Sequence, residues 1–162
     1  MSQAQVSTPM PNNKPGFLFD TRTIDWRDFI TDGCYYKVLN VDIAAGQADM
    51  IVKFDPNSQG MHHRHTATVT TLVLEGEQHL REVTDAGVTV KIKPAGSYTI
   101  GGEGEVHIEG SGDATLILFF SMRTNGDVIY ELLNDDLSLR NSITVADFYR
   151  DWQEKWPADF SK

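Results

Sequence analysis

The chain has 162 residues, 40% apolar and 10% aromatic, which suits one domain with a real core and excludes extensive disorder. Fourteen Lys and Arg against 23 Asp and Glu leave a net charge of −9. That balance lacks the basic footprint of a nucleic-acid binder and repels anionic membrane surfaces. The lone cysteine, Cys34, can form neither an internal disulfide nor a thiolate metal cluster. No apolar run nears the roughly 18 residues of a bilayer span, and residues 1–16 lack the apolar stretch of a secretory signal. The expectation is a soluble, reduced, cytoplasmic protein with no nucleic-acid and no membrane partner.

Residues 1–16 are rich in Ser, Gln, Asn and Pro and read as a flexible arm, or one that packs on a neighbouring subunit. From Phe17 to about Tyr130, Gly, Pro, Asn or Asp punctuate the chain every 8–12 residues. Between them lie predicted strands: Tyr35–Val41, Ala48–Phe54, Thr68–Leu74, Gln78–Val83, Val88–Ile92, Gly96–Ile100, Val106–Glu109 and Ala114–Met122. Period-two alternation, as in Val88, Val90 and Ile92 against Thr89, Lys91 and Lys93, predicts half-buried strands in a sandwich or barrel. Val38–Val41 and Leu116–Phe120 are apolar on both faces, so a second cover, such as a dimer partner, is expected there. A homodimer or homotetramer follows as the expected assembly.

Residues 131–162 form a predicted helical extension to the 17–130 barrel. Asn134-Asp-Asp-Leu137 reads as a turn or a helix entry. Thr144-Val-Ala-Asp147 has the form of an N-cap with an acidic residue at N3. Val145, Phe148, Tyr149, Trp152 and Trp156 then share one helix face, a docking surface onto the barrel or another subunit, and Pro157 ends it.

The five histidines hold the chemistry. Three fall in Met61-His62-His63-Arg64-His65, after a Pro/Gly-containing turn. Residues i and i+2 of a strand project from one face, so His63 and His65 point together and His62 away. Two such imidazoles can reach one metal at about 2.0–2.1 Å, and the third ligand must come from another strand. His107, just after a Gly-rich turn, is the candidate. His62 and His79 read as surface histidines, and Cys34 as a small buried hydrophobe.

His63-Arg-His65, the following Thr66–Leu74 and the turn Glu75-Gly76 resemble the first motif of a small single-domain cupin. Pro94-Ala-Gly96 resembles the second motif, with Thr99 where its usual form has histidine and His107 in the place of a displaced variant. The resemblance runs from about Ile24 to Tyr130 and implies an all-β jelly-roll barrel, the cupin double-stranded β-helix, with the arm and helix appended. The motif's glutamate falls at Val69 or Thr70, neither of which can replace it. The remaining set, His63, His65 and His107, is similar to that of three-histidine cupin dioxygenases of the acetylacetone and 2,4′-dihydroxyacetophenone type. The second of these implies a fourth or outer ligand at Glu82, six residues after Gly76. Alternation across that turn allows Gln78, Leu80 and Glu82 to face inward.

That resemblance implies a mononuclear non-haem Fe(II) dioxygenase that uses O2 to cleave a carbon–carbon bond beside a carbonyl, in a β-diketone or hydroxyacetophenone-like small molecule. Leu72, Leu80 and Ile92 are expected to keep the site dry, and Tyr98 to hydrogen-bond substrate from inside. Three histidines with an open position also suit catalytic zinc. A Zn, Ni or Mn lyase or isomerase, and a non-catalytic ligand-binding cupin, are the rival readings.

Overall fold

Antiparallel strands dominate residues 21–155, the part of the chain that the computed structural model describes. The predicted arm over 1–16 and the predicted helix end at Trp156 and Pro157 lie outside these residues. A short 3-10 turn, Thr21–Thr23, leads into strands β1 (Arg27–Asp28), β2 (Cys34–Asp42), β3 (Gln47–Phe54) and β4 (His63–His65). Next come β5 (Thr68–Glu75), β6 (Glu77–Thr84), β7 (Gly87–Pro94), β8 (Tyr98–Gly101) and β9 (Val106–Ser111). β10 (Leu116–Arg123), β11 (Val128–Leu133), β12 (Leu139–Thr144) and helix α1 (Val145–Lys155) complete the order. The strands make two six-stranded antiparallel sheets, β1-β2-β3-β10-β5-β8 and β12-β11-β4-β9-β6-β7.

The sheets face each other across the alternate side chains that the sequence makes apolar. Ala48, Met50, Val52 and Phe54 of β3 interleave with Leu116, Leu118, Phe120 and Met122 of β10, all buried. Burying each of the larger ones favours the fold by about 1.5–3 kcal/mol. The second sheet continues through β11 and β12 to Thr144, so strands run past the expected barrel limit at residue 130. Asn134–Ser138 is the turn between these two strands, with Leu137 at φ +65°.

Two expected wall residues turn the other way. Leu72 and its cross-strand partner Tyr98 lie on the outer face, because Thr71 and Val73 on either side of Leu72 are buried inside. Ile92 pairs with the outward His79 and is 56% exposed, whereas Leu80 is buried as expected. β7 is an edge strand exposed on both faces, so the half-buried strand expected from Val88, Val90 and Ile92 is not formed. Alternation fixes which residues share a face, not whether anything covers it.

Thr144 and Asp147 close a reciprocal cap on α1. The Asp147 amide donates to Thr144 Oγ1 at 3.1 Å, and the Thr144 amide donates to Asp147 Oδ2 at 2.9 Å. Val145 and Phe148 bury against the sandwich, with Tyr149 and Trp152 packed beside them. Asp151 accepts from Arg27 Nη1 and from the Tyr36 hydroxyl, both at 2.9 Å, which ties α1 to β1 and β2. Among the described residues no helix is long and apolar enough to cross a membrane.

The chain passes from one sheet to the other at Gly76, where φ is +74°. A Cβ at this position would run into the Thr115 carbonyl oxygen. Gly76→Ala therefore combines a disfavoured backbone with a collision, and is expected to lower stability by more than about 1 kcal/mol in urea unfolding.

Candidate metal centre

β4 occupies the middle of the second sheet, and its pairing sets the site. His63 sits opposite His107 on β9 and Leu132 on β11, and His65 sits opposite Tyr130. Directly opposed residues share a face, so the three imidazoles project together into the space between the sheets. The outward residue between them, Arg64, pairs instead with Glu131 at 2.7 Å. Two backbone bonds hold this end of β4: the His65 amide donates to the Glu105 carbonyl at 2.9 Å, and the Gly104 amide to the His65 carbonyl at 2.8 Å.

One ligand nitrogen from each of His63, His65 and His107 lies within 4.8 Å of the others. His65 Nε2 and His107 Nε2 are 2.9 Å apart. Two donors bound to one ion at about 2.0–2.1 Å and near a right angle stand about 3 Å apart, so this spacing fits a divalent metal. His63 Nδ1 donates to the Met61 carbonyl at 3.0 Å, which leaves His63 Nε2 as the nitrogen free to bind a metal. The Nδ1 atoms of His65 and His107 have no hydrogen-bond partner among the described residues.

Burial, then the neighbouring His63, lowers His65 to about 3. Burial first, then His63, His65 and Lys93, lowers His107 to about 2. Both imidazoles are thus neutral at pH 7, the form that binds a metal.

A cavity of about 50 Å³ opens at His63 and His65. Its walls include Phe29, Met50, Val52, Phe54, Phe120 and Met122, and among the described residues no lysine or arginine lines it. Glu109 does. This carboxylate, two residues after His107 and on the same face of β9, places Oε1 3.8 Å from His63 Nε2. Its other oxygen accepts from Gln78 Nε2 at 2.7 Å. Burial raises the Glu109 pKa, against the lowering influence of His63, the Gln78 hydrogen bond and Lys93. The same surroundings push the Cys34 thiol up to about 12, through burial and then the Glu109 charge.

Glu82 faces the same side as its cross-strand partner His107, but its carboxylate meets Lys91 Nζ at 2.7 Å and stays outside the three-histidine group. A lysine two residues along the neighbouring strand captures it. Tyr98, at 63% exposure on the outer face, does not line the cavity. His79 lies on the outer face beside Glu77 at 3.4 Å, and His62 is outside the cluster. Sequence reasoning placed Gln78 inward but gave it no role, and it missed Glu109, although the i, i+2 relation of Glu109 to His107 was available to find it.

A family model described as the ChrR cupin-like domain matches residues 14–124. No curated protein matches the chain. Among solved structures, a proposed acetylacetone dioxygenase from Methylibium petroleiphilum PM1 is 18% identical with a TM-score of 0.71, over 88% of this chain and 98% of that one. An acetylacetone dioxygenase from Acinetobacter johnsonii is 15% identical with a TM-score of 0.66, over 88% and 97%. An RmlC-like cupin protein from Ralstonia eutropha JMP134 is 16% identical with a TM-score of 0.68, over 83% of each chain. At these identities the likeness is one of fold.

The depressed histidines set a pH dependence. Unfolded imidazoles bind protons below about 6.5 that His65 and His107 refuse in the fold. Metal-stripped protein is therefore fully stable with respect to these groups above about pH 6.5. It loses stability as pH falls toward 3, by about 1.4 kcal/mol per pH unit for each group. His107→Gln is expected to flatten that slope in urea titrations at a series of pH values.

Proposed function

Because the chain belongs to the ChrR cupin-like family, we propose that it is a metal-dependent enzyme, and more specifically an Fe(II) dioxygenase. Its substrate is a small neutral carbonyl compound, a β-diketone or hydroxyacetophenone-like molecule, cleaved at a carbon–carbon bond beside the carbonyl. One observation carries the reading: three histidine side chains converge, and two of them, His63 and His65, line an apolar cavity that has no lysine or arginine among its described lining residues.

His63, His65 and His107 would hold the ion. Three neutral imidazoles contribute no charge, so a dication at this site favours an anionic bidentate donor such as an enolate. When bound, iron would supply Lewis acidity and a path for electrons from the enolate, the net reductant, to dioxygen. Phe54, Phe120 and Met122 exclude water and lower the local dielectric, which strengthens each charge contact with the substrate. The lack of lysine or arginine in the lining disfavours substrates that already carry a carboxylate, since nothing in the wall would pair with it. A neutral diketone enters without that penalty.

The test begins with metal content. Protein produced in iron-supplemented medium is expected to carry near-stoichiometric iron by plasma mass spectrometry, and His63→Ala to lose at least tenfold. Oxygen uptake with acetylacetone is then expected to depend on that iron and to be absent in the variant. Zinc, nickel or manganese in iron's place, with turnover in the absence of oxygen, would move the reading to a lyase or isomerase. Metal content indifferent to His63 would sink it and leave a ligand-binding protein.

A further inference from the structure

Glu109 has no place in the reading above, and its surroundings are unusual for a carboxylate. It lines the cavity with its side chain only 13% exposed. Among the described residues no lysine or arginine forms an ion pair with it: His63 is the chargeable group within 4 Å, and Lys93 acts on it only from farther away. A buried charge without a partner is costly, so a carboxylate kept in such a place calls for a cation.

Its two oxygens are differentiated. Oε2 is held by Gln78 at 2.7 Å, and Gln78 itself is 3% exposed on the inward face of β6. Oε1 is thereby left facing His63 Nε2 at 3.8 Å. Glu109 is nevertheless not part of the group whose ligand atoms all lie within 4.8 Å of one another, so it stands farther out than the three imidazoles. A carboxylate at that remove reaches an ion through a ligand the ion carries, as outer-shell groups do in metal sites.

We propose that Glu109 is the anionic partner of the metal centre, set beside the three neutral histidines to offset the charge of the ion, and that Gln78 positions it. The inference rests on the metal-centre reading above and adds to it the source of the compensating charge. The site then presents a divalent ion with roughly half its charge already balanced. It takes a substrate that brings a single negative charge, a monoanionic enolate, in preference to a dianion.

The experiment uses full-length protein stripped with chelator and titrated with Co(II), read by competition with a chromophoric chelator and by the cobalt visible spectrum. Glu109→Gln keeps the hydrogen-bonding shape and removes the charge, and is expected to weaken Co(II) binding by about 10–100-fold. Glu109→Asp restores the charge and is expected to recover part of the loss. Gln78→Leu frees the carboxylate and is expected to fall between wild type and Glu109→Gln.

Urea unfolding of the metal-free proteins separates this role from a structural one. Removing an unpaired buried charge leaves Glu109→Gln at least as stable as wild type, whereas removing a structural anchor lowers stability. Co(II) affinity within twofold of wild type, with an unchanged spectrum, would overturn the proposal while leaving the three-histidine centre intact. A wild type that takes up no divalent ion would overturn the metal-centre reading, and this proposal with it.

Discussion

The pairing of β4 with β9 is the constraint on which the site depends. It puts His63 opposite His107, while the His65 backbone, bonded to Glu105 and Gly104, fixes how far β4 can slide. A slip of one residue would carry Arg64 inward and turn His63 and His65 to the outer face. The flanking strand β11 reinforces the register from the other side, with Leu132 against His63 and Tyr130 against His65. Three residues of strand thus bring together what no local sequence signal could hold.

The second sheet supplies the polar groups, and the first supplies the dry wall opposite them. Met50 and Val52 of β3, with Phe120 and Met122 of β10, belong both to the central core and to the cavity lining. Stability and desolvation therefore come from the same side chains. That desolvation keeps His65 and His107 neutral, which makes them donors of electron pairs and not of protons. It also raises the electrostatic weight of Glu109, the one carboxylate among the cavity's lining residues.

Much of this was legible in the chain itself. Alternation located β2, β3, β5 and β10, because each has one face in a single continuous core, and the His-x-His spacing identified two of the gathered imidazoles by strand parity alone. Thr144 and Asp147 marked the helix start through a contact three residues long. Legibility failed where the outcome depended on a neighbour distant in sequence. Glu82 has the right parity to approach His107, yet Lys91 on an edge strand takes its carboxylate. Tyr98 and Ile92 alternate correctly but stand on outward faces, a choice made by sheet packing and not by pattern. β12, in the segment Leu-Arg-Asn-Ser-Ile-Thr, lacks the apolar alternation of a buried strand, and pairing with β11 makes it a strand while leaving its first half exposed.

The docking of α1 has a reach beyond the edge of the sandwich that it closes. Phe148 on the helix lies with its ring centre 6.1 Å from that of Tyr130, and Tyr130 lies 6.0 Å from His63. Tyr130 and His63 both line the cavity. The helix is in effect a backstop: it packs edge-on against a ring that packs edge-on against a donor imidazole. Whatever loosens the Asp151 anchorage to Arg27 and Tyr36 gives that donor room to move, so the geometry at the histidines is tensioned from the far end of the chain.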